Sequence, residues 1–244
     1  MMKTVLITGC SSGFGLETAQ YFLGRGWKVI ATMRTPREDL LPHSEHLRVL
    51  ALDVTDPQSI RQAIESAGPI DVLVNNAGIG MLGALEGTSM QTARDVFETN
   101  TFGTIAMCQA VLPQFRQRKS GTIVNVTSSV TLKPLELLSV YSASKAAVNA
   151  FTESLALELE AFNIRARLVL PGRAPETRFG DNAQSRVDIP EAYAELAQSI
   201  FAAWGQTSEC TTALDVAEAV WRVANDPSSP ARIVAGADAL ALVE

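Results

Sequence analysis

Tyr141 and Lys145 stand four positions apart in the run Tyr141-Ser142-Ala143-Ser144-Lys145. On a helix that spacing puts a phenol and an ammonium on one face. A tyrosine, with an ordinary pKa of ~10, is a weak base at neutral pH, and a neighbouring cation favours its phenolate. Lowering its pKa by about three units corresponds to about 4 kcal/mol of differential stabilisation. The pair therefore suits proton transfer to or from an oxygen. Ser128 lies thirteen positions upstream, in Val124-Asn125-Val126-Thr127-Ser128-Ser129. Its hydroxyl is suited to hold a carbonyl oxygen while Tyr141 supplies the proton. Spacing alone leaves Ser129 open as an alternative.

A second group is built to receive an anion. The stretch Thr8-Gly9-Cys10-Ser11-Ser12-Gly13-Phe14-Gly15 follows an apolar run and leads into a helical pattern. Its glycines allow a sharp turn and a close approach of backbone N–H groups, and the helix that follows aims its positive end at a pyrophosphate. The spacing is G-x-x-x-G-x-G, not the commoner G-x-G-x-x-G, so its place between strand and helix carries the dinucleotide reading. An acidic residue ending the second strand would bond the ribose 2′-hydroxyl of NAD and repel the extra phosphate of NADP. Here the chain reads Ala31-Thr32-Met33-Arg34, with no carboxylate before Glu38. The Arg34 guanidinium suits a phosphate, which favours NADP(H) over NAD(H); the alternative is a solvated loop arginine. Asp53, ending the third strand, is placed for the adenine or for capping a turn.

These residues need a frame. Short runs of Val, Ile and Leu recur at Thr4–Thr8, Lys28–Thr32, Leu47–Leu52, Asp71–Asn75, Thr122–Thr127, Ile164–Leu170 and Arg232–Ala235. Consecutive apolar positions predict strands covered on both faces. Helical stretches separate them, the longest being Met90–Arg118 and Tyr141–Phe162, and Asp56-Pro57 marks a helix start. The pattern predicts an α/β fold: one Rossmann-type doubly wound domain with a parallel sheet of about seven strands. The segment at about 172–212 breaks the rhythm, carrying Phe179, Tyr193, Phe201 and Trp204 among prolines and glycines. It is expected to form a substrate lid of short helices at the carboxyl edge of the sheet. With Leu135, Leu137 and Leu138 it suggests an apolar, aromatic or cyclic carbonyl compound, with Leu135, Leu138, Phe179 and Trp204 as candidate substrate contacts.

Composition closes off other classes. With 47% hydrophobic residues and a formal net charge of −6, the chain has material for a full core and lacks the basic face of a nucleic-acid binder. No run of eighteen apolar residues is present, and Met1 to Thr8 do not read as a signal peptide, so a cytoplasmic protein outside the membrane is expected. Cys10, Cys108 and Cys210 are far apart and are read as reduced thiols. The two histidines, His43 and His46, lie in a polar connection, which disfavours both a metal site and a Ser-His-Asp hydrolase.

Taken together and in order, Thr8-Gly9-x-x-x-Gly13-x-Gly15, Asp53, Asn75-Asn76-Ala77-Gly78, Asn100, Ser128, Tyr141-x-x-x-Lys145 and Pro171-Gly172 resemble the short-chain dehydrogenase/reductase family nearly end to end. The loop and the second-strand end look most like its hydroxysteroid and retinol dehydrogenase branch, which tends to use NADP(H). The resemblance implies that Tyr141 is the general acid/base and that Ser128 orients the carbonyl. It implies that Lys145 lowers the tyrosine pKa and holds the nicotinamide ribose, and that Asn100 supports a proton-relaying water. Cofactor contacts are then expected from Gly9, Ser11, Ser12, Gly13, Phe14 and Gly15, from Arg34, Asp53 and Val54, and from Asn76, Ala77 and Gly78. Tyr141, Lys145, Pro171, Gly172 and Thr177 complete that set. Thr177 departs from the family pattern, with four residues rather than three after Pro171-Gly172, and Arg173 and Glu176 are unusual charges for such a loop. The implied activity is hydride exchange between NADP(H) and a secondary alcohol or ketone, in a homodimer or homotetramer. An NAD-dependent alcohol dehydrogenase, a lyase or epimerase, and a cofactor-sensing binding protein remain as alternatives.

Overall fold

The computed structural model describes residues 2–177, 183, 189–206 and 209–243. Seven strands form one parallel sheet: β1 (Thr4–Ile7), β2 (Lys28–Met33), β3 (Leu47–Ala51), β4 (Val72–Asn75), β5 (Gly121–Val126), β6 (Ile164–Pro171) and β7 (Arg232–Ala235). Their spatial order is β3-β2-β1-β4-β5-β6-β7. The chain winds outward from β1 in one direction and from β4 in the other, so the loops leaving β1 and β4 diverge and open a crevice at the carboxyl edge.

The central strands are buried on both faces. Val5 and Ile7, Val29 and Ala31, and Val72 and Val74 face one core, with Ala19 and Phe22 of α1 (Gly13–Leu23). Leu6, Ile30 and Leu73, the residues between them, face the other core, with Met107, Val111 and Phe115. That alternation under helices on both sides is why these strands read as unbroken apolar runs. The second core is covered by α2 (Pro57–Ala67), α4 (Gly103–Arg118) and α5 (Ser139–Leu159), and the first by α1 and α7 (Ala213–Asn225). Helix starts follow their local signals. The Asp56 carboxylate accepts the Gln58 N–H at 2.8 Å ahead of α2, and Thr212 and Asp215 form a reciprocal capping box on α7.

The stretch expected as one helix over Met90–Arg118 is divided. It runs as α3 (Met90–Phe97), a π-helical turn at Glu98–Phe102, and α4. Tertiary contacts impose the change of winding. Asn100 is bonded to Ile79, Thr101 Oγ1 donates to the Ser144 carbonyl at 3.0 Å, and a Cβ on Gly103 would lie 2.8 Å from Val54 Cγ2. Such turns are frequent where a helix must re-aim a side chain.

In the expected lid, the described part includes a short turn at Glu191–Tyr193 and α6 (Ala194–Gln206). Ala197, Ile200 and Tyr193 pack on Leu82, Ala84 and Leu137. Phe179 lies outside the described residues. A short α8 (Ala237–Leu240) follows β7. Among the described residues no helix is long and apolar enough to cross a membrane, and no group of His, Cys, Asp and Glu could hold a metal ion.

Candidate active site

The glycine loop after β1 is tied to both neighbouring strands. Thr8 Oγ1 accepts the N–H groups of Asn76 at 3.0 Å and Ala77 at 2.9 Å, while Asn76 Nδ2 donates to the carbonyls of Thr8 and Gly9 at 3.0 and 3.3 Å. The Cys10 N–H donates to the Thr32 carbonyl at 2.8 Å, which anchors the loop to β2. Gly9 has φ +75°, and a Cβ there would lie 2.8 Å from Ala77 Cα. A Cβ on Gly15 would run into the Gly9 carbonyl oxygen. Glycine is thus required at both ends by close backbone approach. Ser12 opens α1 without a side-chain cap bond, and no acidic residue occupies the first turn, so the helix's positive end is not neutralised by its own side chains. This is the cradle a pyrophosphate needs, and the residues present fit a dinucleotide. Cys10 is buried in the loop; burial pushes its thiol up to about 12, leaving it unreactive.

Arg34 follows β2 directly, is exposed, and makes no hydrogen bond or ion pair with the described residues. The Asp53 carboxylate caps its own turn, accepting from the Thr55 N–H at 2.9 Å and the Thr55 hydroxyl at 2.7 Å. Val54 buttresses the start of α4 through Gly103.

The residues expected to transfer the proton converge beyond β4 and β5. Ser128 follows β5, and its hydroxyl shares a hydrogen bond with the Tyr141 phenol. Tyr141 and Lys145 lie on α5, and Lys145 Nζ donates to the Val126 carbonyl at 3.1 Å. A single point, the position a Cβ on Gly78 would take, is 3.2 Å from Asn100 Oδ1 and 3.4 Å from Lys145 Nζ. Asn100 and Lys145 therefore meet across Gly78, which keeps the space between them open. The Asn100 amide is held by three bonds: Oδ1 accepts the Ile79 N–H at 2.8 Å, and Nδ2 donates to the Ile79 carbonyl at 3.0 Å and to Ser144 Oγ at 3.2 Å. Burial raises the Tyr141 pKa above its ordinary value, with the Ser128 bond pulling the other way. Burial also lowers Lys145 to about 8. Ser129 is buried too, but the Tyr141 contact belongs to Ser128.

The surroundings of the phenol are apolar. Met81 and Val96 are buried beside Tyr141, with Ile79, Val130, Leu138 and Val140 packed around them. Leu138 thus lies with Tyr141, whereas Leu135 is half-buried outside that cluster. Leu137 is buried under the α6 contact at φ +60°, an uncommon conformation for leucine, and its carbonyl accepts the Gly83 N–H at 2.8 Å. On α6, Trp204 meets Phe201 edge to face at 5.9 Å, and Phe201 is exposed. The Tyr193 hydroxyl bonds Glu86. After β6, Pro171 and Gly172 lead to Thr177, whose Cβ would be 3.3 Å from a Cβ on Gly13. Thr177 therefore sits against the glycine loop.

Sequence reasoning assigned no role to Thr8, Ser144, Thr211 or Asp238. Ser144 lies between Tyr141 and Lys145, yet its bond to Asn100 spans 44 residues and leaves no local signal.

Known proteins similar to this chain share one family. A family model described as short chain dehydrogenase matches residues 3–187. The chain is 43% identical to a 3-ketodihydrosphingosine reductase of Bacteroides thetaiotaomicron over 184 residues, 74% of this chain and 66% of that protein. It is 36% identical to human retinol dehydrogenase 8 over an alignment of 255 positions, 94% of this chain and 80% of that protein. A short-chain dehydrogenase from Streptomyces avermitilis has a similar structure, with a TM-score of 0.85 at 31% identity over 100% of this chain and 91% of that one. A closed form of serine dehydrogenase complexed with NADP+ gives a TM-score of 0.81 at 29% identity, covering 96% and 94%. A 3-ketoacyl-(acyl-carrier-protein) reductase from Brucella melitensis complexed with NADH gives 0.79 at 25% identity, covering 95% and 95%.

Proposed function

The chain belongs to the short-chain dehydrogenase family of oxidoreductases, and we propose that it interconverts a secondary alcohol and a ketone with NADP(H) in preference to NAD(H). The observation that carries this reading is the Ser128–Tyr141 hydrogen bond, one helical turn from the Lys145 that meets Asn100 across Gly78. Gly9, Ser11, Ser12, Gly13, Phe14 and Gly15 would hold the pyrophosphate and Arg34 the 2′-phosphate. Asp53 and Val54 would flank the adenine. Asn76, Ala77, Gly78, Pro171, Gly172 and Thr177 would border the nicotinamide half, with Lys145 and Tyr141 on its ribose. When bound, the reduced nicotinamide supplies a hydride equivalent for a carbonyl carbon. Tyr141 donates its phenolic proton to the carbonyl oxygen as negative charge develops there, and Ser128 orients that oxygen. Lys145 favours the phenolate left behind, and Asn100 beside it supports the return of the proton.

The apolar wall around Tyr141 supports an apolar carbonyl substrate. Leu138 packs with Tyr141 and is the first candidate contact, with Leu135, Phe179 and Trp204 as the others. Assay of NADPH oxidation with a panel of apolar ketones tests the reading: turnover supports it, and no turnover with any apolar ketone or alcohol overturns it. A cytoplasmic location belongs to the same reading, which suits the thiols of Cys10 and Cys108 buried in the two cores.

The pH dependence follows from the protonated forms that reduction uses. Burial keeps the phenol protonated through neutral pH, and Lys145 carries its charge only below about 8. Carbonyl reduction is expected to be flat below about pH 8 and to fall above it; a rate that rises through that range would contradict the assignment of Lys145.

We take the working unit to be a homo-oligomer. Phe102, in the turn before α4, and Leu157 on α5 leave 56% and 70% of their surfaces exposed. Light scattering at micromolar concentration should give a dimer or tetramer mass; a monomer mass would end that idea.

A further inference from the structure

The carboxyl end of β6 is held by a polar cluster drawn from two distant parts of the chain. Thr211, only 2% exposed, accepts the Gly172 N–H on its hydroxyl at 2.9 Å, and its own N–H donates to the Arg173 carbonyl at 2.8 Å. Asp238, at the start of α8, completes the arrangement. One carboxylate oxygen accepts the Arg173 N–H at 2.6 Å, and the other lies 2.7 Å from the Thr211 hydroxyl. Bonds to a carboxylate are among the stronger ones available to a backbone N–H.

Two glycines make room for it. A Cβ on Gly172 would collide with the Asp238 carboxylate, and a Cβ on Gly236, at φ +97°, would collide with the Thr211 side chain. The cluster pinches together Arg173 and Thr211, the two ends of the segment read as the lid. It also reaches the cofactor cradle through a short, bonded path. Arg173 is fixed by Asp238. The next residue, Ala174, accepts both the N–H and the hydroxyl of Thr177, at 3.1 and 2.8 Å. Thr177 in turn lies against Gly13.

We propose that Asp238 and Thr211 form a latch that positions the Gly172–Thr177 loop against the cofactor cradle, making both of them positioning residues for cofactor binding and turnover. The positioning role rests on the proposed NADP(H) reading; the latch itself does not. Thr211→Val and Asp238→Ala remove its two halves, and Thr211→Ser keeps the hydroxyl. In the cofactor-free protein, hydrogen exchange of peptides covering 172–177 is expected to quicken about tenfold or more in the first two variants and to stay near the parent rate in Thr211→Ser. In kinetics, KM for NADPH should rise about tenfold in the first two variants, with recovery in Thr211→Ser and with the melting temperature little changed.

Unchanged exchange in Asp238→Ala and Thr211→Val would overturn the latch. Faster exchange with parental KM and kcat would overturn the positioning role. A parent protein that bound no nicotinamide cofactor would overturn the functional reading and the positioning role with it, while the exchange measurement would still decide whether the latch exists.

Discussion

Tyr141→Phe should lower turnover by about 10³-fold while leaving NADPH binding within a few-fold of the parent. The substitution removes one oxygen atom. That oxygen is the proton donor in reduction and the partner of Ser128, and it is not needed to hold the rest of α5. Tyr141 sits against Met81, Val96 and Leu138, contacts that a phenylalanine ring preserves. A change in melting temperature of no more than a few degrees is therefore expected. Steady-state reduction of any accepted ketone, beside a fluorescence titration with NADPH, separates the two effects. A variant that kept near-parental turnover would remove Tyr141 from the chemistry.

Lys145→Met should be comparably damaging to turnover, about 10³-fold, and should also weaken NADPH binding, since the ammonium is assigned to both the phenol and the ribose. Its effect on folding runs the other way. Burial lowers the Lys145 pKa from 10.5 to about 8, so the folded protein holds this proton less tightly than the unfolded chain does. The associated cost, about 3 kcal/mol by this shift, is fully present below about pH 8 and disappears as pH rises from about 8 to 10.5. Methionine has a similar reach and no charge to bury. Thermal melts at neutral pH should therefore find Lys145→Met at least as stable as the parent. Loss of activity together with loss of stability would mean that Lys145 holds the fold rather than the chemistry.

The parts of this molecule that local sequence controls were legible. Val5, Leu6 and Ile7 alternate between two cores, so a strand covered on both faces reads as an unbroken apolar run. Asp56-Pro57 caps α2 as its residue types predict. Tyr141 and Lys145 could be paired because helical spacing brings them to one face, and Ser128 because it follows a strand at the same edge. What escaped depends on contacts between distant segments. The π turn at Glu98–Phe102 is set by Ile79, Ser144 and Val54, none of which is near it in the chain. The Asp238–Arg173 bond spans 65 residues. Phe201 and Trp204 read as substrate-facing aromatics, and their edge-to-face contact was not legible from spacing. Composition reports that such a segment is apolar, not which side chain turns inward.

Titrating the purified protein with NADPH and, in parallel, with NADH, reading cofactor fluorescence, decides whether this is a nicotinamide-dependent oxidoreductase in which Arg34 selects the phosphorylated cofactor. Arg34 lies at the end of β2, where the short run to Glu38 holds no carboxylate. Both should bind saturably, with NADPH at least about tenfold tighter, as expected for one charge-assisted contact. Tighter binding of NADH would contradict the role of Arg34 and turn attention to alcohol oxidation with NAD. Binding of neither would contradict the claim itself.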